Sequence, residues 1–326
     1  MPLVSSTFRA SGPFKDTHFS TIYSAKLRRV SGVVQERERI ELPDGDFIDI
    51  DWTPAITPAR AKSVCLLFHG LEGNAQRSYM LGMAKLLSRN GIDVAAVNFR
   101  GCSGTSNRLY RSYHSGETED IRYLVNLFVR SKDYASLFVY GVSLGGNALL
   151  KYLGEKKEIP EQLKAAATIG VPSDLKASLD QLTLGQNWVY RTSFLFDLRR
   201  KYRKKIPAHP EKGSWQEYHK IRSLQSFDDI YTAPAHGFEN ALDYYQQASS
   251  FCYIPKIEVP TLLLNAKNDS FLHGDCYPYA YAKNSKKVFL ETPEHGGHVG
   301  FYKAGDFYYN ELRSLEFFME NGAKKY

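Results

Sequence analysis

The sequence predicts an α/β fold: a mainly parallel sheet covered by helices, interrupted by a helical insertion. Three observations lead there. Continuous apolar runs at Ser63–Phe68, Ile92–Phe99, Leu137–Tyr140, Leu163–Ile169, Val259–Leu264 and Lys287–Glu291 suit strands buried on both faces. Segments with apolar residues three and four apart separate them, and strands alternating with such helices form parallel sheets. Residues 173–255 break the alternation, with helical, aromatic-rich segments and no buried strand. The expected organisation is an N-terminal arm (1–35), a first part of the core (36–172), a helical lid insertion (173–255) and a second part of the core (256–326).

Taken in order, residues 1–35 show no clear period and read as an arm laid along a domain. Gln35–Leu42 and Asp46–Trp52 alternate around the turn Pro43–Asp44–Gly45, as an antiparallel hairpin at a sheet edge should. Met80–Ser88 has helical spacing and closes at Asn90–Gly91. Ser115 is a candidate cap for a further helix, with Glu117, Glu119 and Asp120 crowding its first turn, where the helix dipole favours acids. A last amphipathic helix covers roughly Gly305–Met319. In the insertion, Trp188, Tyr190, Phe194, Phe196, Tyr244 and Tyr245 are expected mostly to pack it onto the core, with an apolar pocket lining as the other use.

Composition narrows the function classes. The 42 Lys and Arg exceed the 35 Asp and Glu by seven charges, a modest excess for 326 residues. No apolar run has the length of a membrane span, and the first thirty residues lack the apolar centre of a signal peptide, so the expected setting is cytoplasmic. Cys65, Cys102, Cys252 and Cys276 are widely spaced, which fits reduced thiols better than a disulfide frame or a zinc site. One charge run stands out: Arg199, Arg200, Lys201, Arg203, Lys204 and Lys205 put six cations in seven residues. It reads as a solvated helix end, with weak contact to an anionic membrane surface as the functional alternative. No nucleic-acid-binding motif accompanies it, and no nucleic acid partner is expected.

The chemistry concentrates at Gly141–Val142–Ser143–Leu144–Gly145, a G-x-S-x-G pentapeptide between an apolar strand and a helix. That context places a serine on a sharp strand-to-helix turn, with glycines two positions either side where a Cβ would strike a neighbour. A serine hydroxyl needs a base, and the base a third group to hold its tautomer. Asp269 and His298 supply them in the order Ser, acid, His, each on a loop after a late strand. Asp275 is the alternative acid, further from its strand, and His295 the alternative base, without the two glycines that precede His298. The His295–His298 spacing also allows a metal, but no third ligand of clear origin accompanies it, and neither metal nor cofactor is expected. Backbone N–H groups of Leu71, in the loop His69–Asn74, and of Leu144 are the candidate oxyanion hole. His69 itself, beside a tight glycine turn, reads as structural.

His69–Gly73, Arg100–Gly104, His114–Thr118, Gly141–Asn147, Asn265–Asp269 and Gly297–Phe301 together resemble the YheT-like branch of the α/β-hydrolases, from about residue 35 to 320. The resemblance implies the α/β-hydrolase fold, the triad Ser143, Asp269 and His298, and carboxylic-ester hydrolysis with no cofactor. The expected substrate is a small or lipid-like ester with a short- to medium-chain acyl group. Related eukaryotic members carry an N-terminal membrane anchor and are linked to phospholipids; no such anchor is read here. The family loop often has proline after the acid, where Ser270 stands in this chain. A lysophospholipase or thioesterase on the same triad, or a catalytically silent binding protein of the same fold, are the alternatives.

Overall fold

A computed structural model describes residues 3–57, 61–131 and 134–322. Among them, nine strands form one sheet: β1 (Leu3–Val4), β2 (Glu36–Glu41), β3 (Phe47–Thr53), β4 (Ser63–Phe68), β5 (Ile92–Asn98), β6 (Ser136–Val142), β7 (Leu163–Ile169), β8 (Thr261–Leu264) and β9 (Val288–Glu291). Their order is β1-β9-β8-β7-β6-β4-β5-β3-β2. Every neighbouring pair from β1 to β5 in that order is parallel, and the β2–β3 hairpin joins the β5 edge antiparallel.

The apolar runs become central strands because both of their faces are covered. Along β4, Val64, Leu66 and Phe68 pack with helices α3 (Glu119–Ser131) and α4 (Leu144–Gly154), through Ile121, Leu124, Leu149 and Leu150. The alternate residues Cys65 and Leu67 pack on the other face with α2 (Ser78–Arg89) and α12 (Tyr309–Gly322), through Met80, Met83, Phe317 and Phe318. Each side chain of this size contributes about 1.5–3 kcal/mol when fully buried. The parallel register brings Phe68 level with Val97 and Gly141, so the loops after β4, β5 and β6 share one rim. Ligands gather at that rim in sheets of this kind.

Between β7 and β8 the chain is helical: α5 (Leu175–Thr183), α6 (Trp188–Ala208), α7 (Trp215–Lys220), α8 (Leu224–Phe227), α9 (Ala233–His236) and α10 (Ala241–Ala248). Short polar side chains start several of them. Asp174 accepts from Ala177 N–H, Ser214 from Glu217 N–H and Asn240 from Asp243 N–H, each satisfying a donor that the first turn leaves open. The insertion has its own apolar cluster, including Leu179, Leu198, Tyr202, Phe227, Tyr231 and Tyr245. Of the six aromatic residues singled out there, Trp188 and Phe196 are 60% and 65% exposed, so they pack neither the core nor a pocket. A short α11 (Tyr279–Asn284) precedes β9.

The arm gains detail, and two expectations need correction. The arm is more ordered than its lack of period suggests: β1 extends the sheet beside β9, and α1 (Thr17–Ile22) is capped by Asp16, whose carboxylate accepts from Phe19 N–H at 2.7 Å. Helix α3 begins at Glu119, and Ser115 does not cap it. Its open donors go to Glu117, whose Oε1 accepts from Glu119 N–H, while Ser115 N–H donates to Tyr244 OH at 2.9 Å. The six cations of α6 do not form one patch. Lys205 is buried, donating to Asn107 Oδ1 and to the Leu109 carbonyl, and Lys201 turns inward to Glu72. Arg199 donates to Ile221 O, which leaves Arg200, Arg203 and Lys204 exposed. No helix of the described residues is long and apolar enough to cross a membrane.

Candidate active site

The turn at Ser143 is built by two close approaches. A Cβ on Gly141 would lie 2.8 Å from Gly145 O, and one on Gly145 would lie 2.6 Å from both Phe68 O and His69 O. Only glycine lets α4 start this near β4 and β6. The elbow leaves Ser143 at φ 53°, ψ −120°, a conformation that L side chains rarely adopt and that costs on the order of 1–3 kcal/mol. Ser143 N–H donates to Ile169 O at 2.8 Å. Although Ser143 occupies the N-cap of α4, its side chain makes no capping hydrogen bond. Ser143 is half-buried between buried Val142 and Leu144.

His298 sits in a loop shaped by Gly296 (φ 149°) and Gly297 (φ 56°), after β9. Its Nδ1 lies 2.7 Å from Asp269 Oδ2, with both side chains nearly or wholly buried. Asp269 is itself fixed, because its Oδ1 accepts from Phe271 N–H at 2.9 Å. An ionised carboxylate can only accept, so this pairing puts the ring proton on Nδ1 and leaves Nε2 as a lone pair. Phe271 flanks the imidazole, ring centroids 4.3 Å apart. Asp275 is exposed, with its backbone carbonyl on the Ser173 hydroxyl, and His295 does not join the pair.

Ser143 and His298 open onto the same two cavities, whose walls also share Leu71, Glu72, Phe194 and Phe271. The first, about 130 Å³, runs between the core and the insertion past Leu179, Leu198 and Phe227. The second, about 220 Å³, lies between Val189 and Tyr190 of α6 and Thr21, Ile22 and Ala25 of the arm. The arm also touches His298 directly: Thr21 Oγ1 accepts from His298 N–H at 3.0 Å. Sequence reading missed this role. Asp16, a cap residue ahead of Thr17, was the one available sign of a helix there.

The residues that carry the two candidate oxyanion donors line the first cavity together with Ser143. Leu144 is the first residue of α4, whose opening N–H groups have no intrahelical acceptor. The 69–73 loop passes close beside the serine, since a Cβ on Gly70 would come within 3.2 Å of Ser143 Cβ and 3.7 Å of its Oγ. His69 is a brace for that loop. It is fully buried, Nδ1–H donates to Gly70 O at 2.7 Å and Nε2 accepts from Phe99 N–H at 3.2 Å. Burial pushes its pKa down to about 4, so it stays neutral at physiological pH. Two motif asparagines are also structural: Asn147 bonds Ser115 O, Ala248 O and Ser250 N–H, and Asn265 bonds Val171 and Cys276.

Sequence reading did not foresee that His114, Glu117 and His236 would place candidate metal-ligand atoms within 4.8 Å of one another. They suit a cation poorly. His114 Nδ1 accepts from Gly116 N–H, which puts the ring proton on Nε2, facing Glu117 Oε2 at 3.8 Å. Burial first, with Arg111 adding to it, holds both imidazoles below their usual pKa, while Arg111 and Arg100 are themselves paired with Asp44 and Asp120.

Asp228, in the wall of the first cavity, gives a pH prediction. Burial pushes its carboxyl up to about 6, against the pull of the Thr232 and Tyr245 hydroxyls, each 2.7 Å away. The folded value thus exceeds the unfolded one of about 3.9, so the folded protein holds this proton more tightly. The stabilisation is complete below about pH 4 and is lost as pH rises through about 6. Urea midpoints should fall across that interval in the wild type, and Asp228→Asn should remove this part of the fall.

Residues 64–304 match the family model of the alpha/beta hydrolase fold. The chain is 34% identical to the candidate esterase YheT of Escherichia coli (strain K12), over 88% of this chain and 85% of that protein. It is 30% identical to the phospholipase ABHD3 of Mus musculus, over 92% and 74% of the two chains. A monoacylglycerol lipase of Saccharomyces cerevisiae is also 30% identical, over 77% of this chain but 57% of that protein's length. Among solved structures, the esterase Pf2001 of Pyrococcus furiosus superposes with a TM-score of 0.58 at 14% identity, over 91% of this chain and 99% of that one. At that identity the likeness concerns the fold.

Proposed function

This chain belongs to the α/β-hydrolase superfamily, in the branch of the Escherichia coli protein YheT, and from that premise we propose a serine hydrolase that cleaves carboxylic esters. The observation that carries the reading is the His298–Asp269 pair at 2.7 Å, on a wall that Ser143 shares. In the proposed reaction Ser143 Oγ attacks the ester carbonyl while His298 Nε2 takes its proton. Asp269 holds the imidazolium, and the Leu71 and Leu144 N–H groups receive the oxyanion. His298 then returns the proton to the departing alcohol, and water releases the acid from Ser143 by the same steps. The apolar first cavity suits a short- to medium-chain acyl group, and the second, beside the arm, suits the alcohol. The esterase and lipase names of the relatives support an ester or lipid-like substrate.

The test is intact mass after incubation with a fluorophosphonate, followed by rates on p-nitrophenyl esters of graded chain length, a lysophospholipid and an acyl thioester. One adduct on Ser143 and fastest turnover of the shorter oxygen esters is the expected result. Preference for the thioester or lysophospholipid would move the substrate class while keeping the mechanism. No adduct on folded protein would sink the mechanism and leave a binding protein of this fold.

A further inference from the structure

Glu72 directly follows the candidate oxyanion donor Leu71, and it stands at φ 49°, in the left-handed region. Something must hold it there, because a residue with a Cβ pays for that conformation. Its backbone N–H donates to Tyr113 OH at 2.8 Å, and the same phenol donates back to Glu72 Oε1 at 2.8 Å. The carbonyl of Glu72 accepts from Arg77 Nη2 at 3.0 Å. The third hold comes from outside the core. Lys201 Nζ, on insertion helix α6, donates to Glu72 Oε1 at 2.6 Å. Both side chains are largely buried, 11% exposed for the lysine and 9% for the glutamate. The same ammonium lies 4.4 Å from the Tyr113 ring centroid and 3.2 Å from Cys102 Sγ. Burial pushes the Glu72 carboxyl up, yet Lys201 and the Tyr113 hydroxyl together outweigh it and hold the group below the usual range.

The loop has few other freedoms. His69 ties Gly70 O, and Gly73 N–H closes back on Gly70 O at 3.0 Å. The Leu71 side chain lies in the seam, packed against both the core cluster and the insertion cluster. Tyr113 is fixed in turn by stacking on Phe99, centroids 5.2 Å apart at 7°. Buried ion pairs are weak devices for stability compared with apolar packing, and their better-attested use is to specify one arrangement. Here the arrangement specified is that of Glu72, whose N–H ends the Leu71–Glu72 peptide, directly next to the Gly70–Leu71 peptide that carries the Leu71 N–H.

We propose that Lys201 is a positioning residue: acting through Glu72, it sets the Leu71 N–H toward the oxyanion, so that the helical insertion contributes to catalysis as well as to the cavity wall. The inference rests on the serine-esterase reading. Any motion of α6 away from the core would withdraw the ammonium and loosen the oxyanion loop, which makes full activity depend on a seated insertion.

The experiment compares wild type, Lys201→Met, Lys201→Arg, Glu72→Gln and the double variant Lys201→Met/Glu72→Gln, on p-nitrophenyl butyrate and on inhibition by an alkyl boronic acid. The boronate adduct of a serine is tetrahedral and uses the oxyanion donors. Lys201→Met should lower kcat by about tenfold to a hundredfold with KM within about threefold, and weaken the boronate by a similar factor. Lys201→Arg should recover part of the loss. The double variant leaves no unpaired buried charge, so it keeps the test valid if Lys201→Met folds poorly, and it too should lose kcat. Wild-type kcat and boronate affinity in the folded double variant would overturn the proposal, as would a rise in KM alone. Failure of the esterase reading looks different: wild type itself would show neither turnover nor boronate binding dependent on Ser143.

Discussion

Ser143→Ala is expected to lower ester turnover by about four to six orders of magnitude, to abolish the fluorophosphonate adduct and to leave the fold intact. The size follows from what is removed. Without the hydroxyl there is no acyl-enzyme, and only the oxyanion donors and the cavity walls remain to assist water. The intact fold follows from the local geometry. The Ser143 side chain makes no capping bond to α4, and alanine keeps the Cβ, so the strain at φ 53° is unchanged. Thermal melting by circular dichroism should therefore superpose on wild type. Glycine at the same position separates strain from chemistry. Ser143→Gly should be as inactive as the alanine variant but more stable than it by about 1 kcal/mol, because glycine adopts this backbone without the Cβ penalty. Residual turnover within about tenfold of wild type in either variant would remove Ser143 from the mechanism.

The parts of this fold that were legible in the sequence are those whose cause is local or periodic. Ser63–Phe68 and Ile92–Asn98 are buried on both faces, and an uninterrupted apolar run is what such a strand requires. Gly141 and Gly145 betray the elbow because close approach leaves no other residue possible. The chain order of their loops singled out Asp269 and His298, and the two side chains lie 2.7 Å apart. What failed was information carried by tertiary contact. Six cations in seven residues look like one patch along a line, but successive residues on a helix are set about 100° apart. Lys201 and Lys205, four apart, share the inward face of α6, while Arg203 and Lys204 remain outside. The arm has no period because a two-residue strand and a six-residue helix are too short to show one, and they persist only through what they touch. Glu117 took the place expected of Ser115 because a longer side chain can reach back to the helix start from outside it.

Three parts of the chain divide the support of His298 between them. The core supplies Asp269 to its ring, the arm supplies Thr21 to its backbone, and Tyr190 and Phe194 of the insertion reach Phe271, which flanks it. The imidazole is thus held by three separate stretches of chain.

Asp269→Asn carries the second large expected effect, and here the hydrogen bonds dictate its direction. In the wild type Oδ1 accepts from Phe271 N–H at 2.9 Å and Oδ2 faces His298 Nδ1 at 2.7 Å. An asparagine must keep its oxygen on Phe271 N–H, since the amide nitrogen cannot accept there. Its NH₂ is then forced toward His298, where it can only donate. The imidazole responds by taking the other tautomer, with Nδ1 as acceptor and the proton on Nε2, the atom that must accept from Ser143. Turnover should fall by about four orders of magnitude, while the two hydrogen bonds persist with one reversed and melting changes little. Asp269→Ala frees the ring to rotate between tautomers and should be less damaging than asparagine if the forced tautomer is the main cause. Imidazole proton chemical shifts of the two variants, measured with their rates, test that order. A mild loss in Asp269→Asn would mean that His298 is not the base held by this carboxylate.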